Sequence, residues 1–138
     1  SFPKRSLYLD LNKESEKADR KYEFKFRTDD EHQESPDGWY KVSDIRQYKN
    51  LAGVTRWLSE NNLIDNDFSI ETLSKFFQKI HIDEEISFFL EQSSDIERVL
   101  DIFIRVNSGG TELTYSDLLL SMSVALWKDK DAKKEINS

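Results

Sequence analysis

The sequence predicts an α+β fold that is mainly helical, with a small, mostly antiparallel sheet of three to four strands near the N-terminal half. Its 138 residues suffice for one hydrophobic core and are too few for two ordinary domains. Apolar residues alternate with polar ones before residue 42, and from residue 43 onward they recur at helical spacing. We therefore expect one domain with a strand-rich part, residues 1–42, and a helical part, residues 43–138.

Three segments have the period of β-strands. The alternating apolar residues are Leu7, Leu9 and Leu11 in the first segment and Tyr22, Phe24 and Phe26 in the second. The third segment is the short run at residues 39–42. We predict an antiparallel meander whose charged connections, residues 12–21 and 28–38, are solvated loops.

The helical part begins with Ser43, which is a suitable cap for a short helix over residues 44–48. Residues 51–61 form the next predicted helix, with Asn61 and Asn62 as its stop. Ser69 opens a further helix, whose apolar stripe consists of Ile70, Leu73, Phe76, Phe77 and Ile80. Residues 86–91 are short, aromatic and apolar, which fits a fourth strand, although their period does not exclude a helix.

Two capping-box spacings predict the last two helices. Ser94 and Glu97 start one that runs to about residue 106, and Thr114 and Asp117 start the other. Residues 118–127 are apolar nearly all round, so this helix should pack on two sides in the intact protein. We expect residues 128–138 to be a charged, fraying end.

Composition excludes several classes of function. The chain has 20 Lys and Arg against 27 Asp and Glu, and its net charge of -7 opposes strong binding to DNA or to an anionic membrane. Without cysteine it can form neither disulfides nor thiolate metal sites, which suits the cytoplasm. No apolar run reaches the roughly 18 residues of a membrane span. Because the chain begins without Met, we expect it to be a fragment excised from a longer protein.

Residues 102–117 are the most informative stretch, because two of the four glycines stand side by side there. Asn107 would place an amide on the buried side of a helix end, where it needs hydrogen-bond partners. One interpretation makes residues 107–110 a left-handed helix terminus. Another makes the glycine N–H groups, Asn107 and Thr111 a concave anion site, with Arg105 adding charge. A helix-turn-helix does not fit this chemistry, since the second helix has no Arg, Lys, Asn or Gln to read base edges before Lys128.

The sequence indicates neither a metal site nor a common catalytic motif. His32 lies in an acidic loop and His81 follows a helix, neither at metal-ligand spacing, so we predict no metal site. The sequence has no phosphate-binding Gly-x-x-x-x-Gly-Lys motif and no Gly-x-Ser-x-Gly elbow. We therefore predict no catalytic residue in this fragment.

Residues 103–119 resemble the signature late in the N-terminal domain of GmrSD-type restriction enzymes, approximately Phe-x-Arg-x-Asn-(Ser/Thr)-Gly-Gly-x-x-Leu-x-x-x-(Asp/Glu)-Leu. We call residues 103–119 the signature segment. Looser similarity extends over most of the chain, including residues 7–11, 22–26 and 39–45 and the predicted strand and helix that precede the signature segment. Members of that family are similar to ParB-like domains, in which a strand, a helix ending in an Asn-containing motif and the next helix help form a nucleoside triphosphate site. The resemblance implies the following nucleotide-binding residues: Arg105, Asn107, Ser108, Gly109, Gly110, Thr111 and Asp117.

The resemblance also implies a bacterial or archaeal defence protein that senses modified or foreign DNA and couples hydrolysis of a magnesium-bound nucleoside triphosphate to a C-terminal nuclease domain. The family's Asp-Gly-Gln-Gln-Arg motif does not occur in this sequence. We therefore expect the fragment to be inert alone, to bind no cofactor tightly, and to have the remainder of its own chain as its main partner, with DNA contacted by the parent. The alternative is a non-catalytic interaction domain whose acidic face and exposed last helix dock a partner protein or the rest of its own chain, so that this fragment self-associates.

Overall fold

The computed structural model describes residues 4–82, 84, 88, 95, 97–100 and 117–136. Within these residues the sheet has three strands, β1 (Arg5–Asp10), β2 (Phe24–Thr28) and β3 (Trp39–Lys41). Their order is β2-β1-β3, and both neighbours of β1 run antiparallel to it. The predicted α+β class and the three strands are confirmed.

The predicted meander is wrong, because β1 and not β2 is the central strand. Leu7, Tyr8 and Leu9 are all buried, so β1 is covered on both faces, whereas Lys25 in β2 is exposed. A strand buried on both faces belongs in the middle of a sheet. Gly38, at φ 78, lets the chain return beside β1, where its carbonyl accepts a hydrogen bond of 2.8 Å from the Leu11 amide.

The connection between β2 and β3 contains a helix, α1 (Asp29–Glu34), where we predicted a solvated loop. Thr28 caps it: its hydroxyl accepts from the Glu31 amide at 3.1 Å, and Glu31 accepts from the Thr28 amide at 2.9 Å. This reciprocal cap stabilises a helix that buries none of its own residues. The capping-box spacing of Thr28 and Glu31 is present in the sequence, but the many charged residues of this segment favoured the prediction of a solvated loop.

The chain then forms a 3₁₀ helix (Val42–Gln47), α2 (Leu51–Glu60) and α3 (Asp67–Ile82). Ser43 does not cap the first of these, which begins after Lys41 without a side-chain cap. Asn61 ends α2 as predicted, and Asn62 follows at φ 60. The predicted stripe of α3 is confirmed by its burial, but the helix starts two residues before Ser69.

The last helix, α4 (Asp117–Ile136), is longer and better packed than predicted. Residues 128–136, which we predicted to be a fraying end, belong to this helix, and among them Asp129 is buried and pairs with Arg5 of β1. Leu120 and Trp127 are its exposed apolar residues. In the predicted fourth strand, residues 86–91, only Phe88 is described, and it is helical, so the strand is wrong at that position.

The hydrophobic core lies on one face of the sheet. Leu7 and Leu9 point into it from β1, and the rings of Phe24 and Phe76 meet edge to face at 6.2 Å between β2 and α3. Helix α2 packs on α3, and α4 packs on β2. The opposite face of the sheet lies under α1, whose His32 ring stacks on Tyr8. None of the helices in the described parts of the chain is long and apolar enough to cross a membrane.

Candidate functional site

Of the predicted nucleotide-binding residues, Asp117 alone falls within the structure that is described, and it is the first residue of α4. The other six lie outside the described residues: Arg105, Asn107, Ser108, Gly109, Gly110 and Thr111. What the structure defines is how the chain is held before residue 101 and after residue 116, by two anchors that are buried in the core.

The N-terminal anchor is a helical turn at residues 97–100. Asp95 caps it: its carbonyl accepts from the Val99 amide at 3.1 Å, and its carboxylate accepts from the Arg98 amide at 3.2 Å. The side-chain cap is therefore one residue later than the predicted Ser94. Val99 and Leu100 are buried in the core, which fixes the turn against the rest of the domain.

Glu97, in the same turn, contacts the central strand. Its Oε1 atom accepts a 2.8 Å hydrogen bond from the amide of Leu7, 90 residues away in sequence. Burial raises the pKa of Glu97, and the hydrogen bond from Leu7 opposes that rise. The capping-box spacing predicted that the Glu97 carboxylate caps the start of its own helix, and it did not predict the contact with β1.

The C-terminal anchor is the first turn of α4. Leu118 and Leu119, the last two residues of the signature segment, are both buried in the core. The hydroxyl of Ser121 then accepts a buried 3.0 Å hydrogen bond from the amide of Tyr22. Asp117 is exposed at the start of this helix, where a carboxylate interacts favourably with the helix dipole.

A second polar group, which the sequence did not indicate, lies on the opposite face of the sheet. The guanidinium of buried Arg27 lies 5.7 Å from the ring centre of Tyr8 and 5.1 Å from that of Trp39. Its Nη2 atom donates to the backbone carbonyls of Glu31 and Ser35 at the end of α1. Its Nη1 atom has no solvent access, so no ligand reaches it without movement of α1. Arg27 therefore holds α1 to the sheet.

A cavity of about 370 Å³ lies between β2 and α4. Its lining includes the Arg5–Asp129 ion pair together with Lys25, Lys128 and Glu23, so neither sign of charge dominates. The α4 residues that line it begin at Ala125, eight residues and about 12 Å along the helix from Asp117. The cavity is thus separate from the end of the signature segment.

The histidines are engaged in packing contacts. Burial, and then the charge of Arg27, lower the pKa of His32, which stacks on Tyr8. The Nε2 atom of His81 lies 2.9 Å from the carbonyl oxygen of Ile45. Over the described ranges, no three His, Asp or Glu side chains are grouped as they would be around a metal ion.

Comparison with known proteins identifies a family whose model matches most of the chain. The model of the family described as "GmrSD restriction endonuclease, N-terminal domain" matches residues 3–123, which include the sheet, both anchors and the whole signature segment. Neither the curated proteins nor the solved structures contain a match to this chain.

Proposed function

The chain belongs to the family of GmrSD restriction endonuclease N-terminal domains, and from this premise we propose that its signature segment forms one wall of a nucleoside triphosphate site in a restriction system. The observation that carries the proposal is the family match over residues 3–123, which spans the whole signature segment. Asn107, Ser108 and Thr111 supply neutral hydrogen-bonding groups, and the adjacent glycines leave backbone N–H groups accessible to phosphate oxygens. Arg105 adds the positive charge that a triphosphate requires.

The anchors on either side suit such a site. A binding segment recognises phosphates well only if its donors are held in place before the ligand arrives. The buried turns at residues 97–100 and 118–119 hold the chain firmly on both sides of the donors. Asp117 stands at the end of the segment, where its carboxylate can take part in holding the magnesium ion of the nucleotide, either directly or through water.

The other wall of the site would come from the family's Asp-Gly-Gln-Gln-Arg motif, which this sequence lacks. We therefore propose that the domain is inert as given and works in a longer cytoplasmic protein of a bacterium or archaeon. A triphosphate bridging the two walls would hold them together, and hydrolysis would release them. That change would reorient a nuclease domain on foreign or modified DNA, and this acidic piece would contribute little to DNA binding.

The test is triphosphate turnover by the full-length protein, with and without modified DNA. We expect Asn107→Ala to reduce turnover while leaving the thermal melting temperature unchanged. Asn61→Ala is the matched control, because it removes another amide at a helix end, remote in sequence from the signature segment. Wild-type turnover in a folded Asn107→Ala variant would return Asn107 and the glycine pair to the role of a helix terminus.

A second function, non-catalytic protein interaction, is favoured by the surface of α4. Leu120 and Trp127 are seven residues apart on one face of this helix and are 36% and 49% exposed. Two turns of exposed apolar surface can dock a second copy or the remainder of the chain. Sedimentation velocity over a range of concentrations tests this proposal. A species that stays monomeric at high concentration, and is unchanged by Trp127→Lys, would contradict it.

A further inference from the structure

The outer edge of β2 has backbone groups that face away from the sheet. Strand β2 is the last strand on its side, since the strand order is β2-β1-β3. Along an antiparallel strand, successive residues direct their N–H and C=O groups alternately to the two sides. The carbonyl of Glu23 accepts a 2.9 Å hydrogen bond from the amide of Asp10, so residues 23, 25 and 27 face β1. The backbone groups of residues 22, 24, 26 and 28 therefore point away from β1.

The outward-pointing amides at the two ends of this edge have acceptors. The Tyr22 amide donates to the Ser121 hydroxyl of α4 at 3.0 Å, and the Thr28 amide donates to its capping-box partner on α1 at 2.9 Å. Between these two positions, the amides of Phe24 and Phe26 have no hydrogen-bond acceptor among the described residues. The middle of the β2 edge can therefore accept a further strand.

The cavity of about 370 Å³ between β2 and α4 lies beside this part of the strand. Its lining includes residues 23–26, and on the α4 side it includes Ala125 and Ala132. The volume is in the range of pockets that bind ligands, and the alanines leave room because their side chains are small. An extended peptide beside β2 would thus form strand hydrogen bonds and have space for its side chains against α4.

The charges around the cavity favour an acidic occupant. Its two acidic lining residues are engaged, because Asp129 pairs with Arg5 and Glu23 lies 3.2 Å from the Nε atom of an arginine outside the lining. Lys25 and Lys128 also line the cavity and are exposed. Neither lysine forms an ion pair with any residue in the described ranges. A carboxylate on the occupant would therefore meet two unpaired positive charges.

A second copy of β2 is a poor occupant of this edge. Only one antiparallel register of two β2 strands uses both free positions, 24 and 26, of each strand. That register places Lys25 opposite Lys25, and like charges directly opposite destabilise a strand pair. Lysine is common on edge strands because it opposes such self-pairing. A peptide with an acidic residue opposite Lys25 would instead gain an ion pair.

We propose that the edge of β2 beside this cavity docks an extended segment of a partner protein, in which apolar and acidic residues alternate. The segment adds a strand to the sheet. Its apolar side chains lie on the core face, next to Phe26 and the alanines of α4, and an acidic side chain lies opposite Lys25. Strand addition takes its affinity from main-chain hydrogen bonds and its specificity from alternate side chains. This docking is independent of the nucleotide site proposed above.

The probe is a fluorescein-labelled peptide, Thr-Val-Glu-Val-Glu-Val-Thr, and the control peptide has lysine in place of both glutamates. Fluorescence anisotropy measures the binding of each peptide to the full-length protein. Hydrogen exchange read at single residues then locates the site. We expect the acidic peptide to bind more tightly than the lysine peptide, and to slow exchange of the Phe24 and Phe26 amides by on the order of tenfold at saturation.

Charge reversal tests the role of the two lysines. Lys25→Glu combined with Lys128→Glu should weaken binding of the acidic peptide by on the order of tenfold and improve binding of the lysine peptide. Lys49→Glu combined with Lys134→Glu is the matched control, because both are exposed lysines outside the cavity lining and the net charge changes equally. The control variant should keep the wild-type preference for the acidic peptide.

Four results would overturn the proposal. The first is no saturable binding of the acidic peptide, and the second is an equal loss of affinity in both double variants, which would reduce the effect to net charge. The third is binding that leaves exchange at Phe24 and Phe26 unchanged. The fourth is slow exchange of these two amides without peptide, which would assign the edge to a second copy if it depends on protein concentration and to the protein's own chain if it does not.

Discussion

Replacing Ser121 by alanine should destabilise the domain, although the change removes a single oxygen. The Ser121 hydroxyl is buried and accepts a 3.0 Å hydrogen bond from the Tyr22 amide, across 99 residues of sequence. Solvent barely reaches this hydroxyl, since Ser121 is 1% exposed. An orphaned buried amide costs about 1 to 3 kcal/mol, which lowers the melting temperature of a domain of this size by roughly 3 to 10 °C.

Ser123 provides the matched control for this prediction. It is buried on the same helix, two residues later, but its hydroxyl donates to the Leu120 carbonyl of its own helix. Removing that hydroxyl leaves no amide without an acceptor, and alanine favours helix slightly, so Ser123→Ala should change stability by less than about 0.5 kcal/mol. Thermal and urea unfolding of both variants measure the difference. Equal stabilities for the two variants would refute the reasoning about the Tyr22 amide.

Two further perturbations test local contacts. Asn50→Ala removes the side-chain cap that accepts from the Ala52 amide at 2.9 Å and should cost about 1 kcal/mol in urea unfolding, whereas Asn50→Asp should retain the cap. Burial raises the pKa of Asp44 above its ordinary 3.8, against the charges of Lys41 and His32. Such a carboxyl favours the folded state most below 3.8 and loses this contribution as the pH rises through its raised folded-state pKa. The melting temperature of Asp44→Asn relative to wild type should therefore rise as the pH increases from 3.8 through the raised pKa of Asp44. A difference between the two proteins that does not change with pH would contradict this.

The elements that were predicted correctly are those whose signal is local. In β1 and α3 the residues that face the hydrophobic core recur at the period of a strand or of a helix. Leu7, Leu9 and Phe76 could therefore be identified as core residues from sequence alone. Strand order is not local, because it depends on which backbone edges meet after the chain has turned. The chain returns beside β1 at Gly38, whose carbonyl accepts a hydrogen bond from Leu11. No periodic pattern in the sequence indicates this contact.

The candidate site likewise has features that could be predicted from the sequence and features that could not. Its residue types were recognisable because amide, hydroxyl and glycine groups cluster in the signature segment. The cap at Asp95 was misplaced by one residue, since Ser94 and Asp95 are both good caps and only backbone geometry distinguishes them. The contact between Glu97 and Leu7 could not be predicted at all, because it pairs a side chain with a backbone amide 90 residues away.

The central position of β1 has a consequence for how the chain folds. The strand precedes the other described elements in sequence, yet it contacts Glu97 and Asp129, and the amide of Tyr22, close to β2, donates to Ser121. Contacts between such distant positions slow folding, because a long loop must close before any of them forms. During synthesis the Arg5–Asp129 and Tyr22–Ser121 contacts can therefore form only after α4 has left the ribosome. We expect the N-terminal strands and the C-terminal helix to fold and unfold as one cooperative unit, so that ending the chain before Asp129 would weaken the first strand.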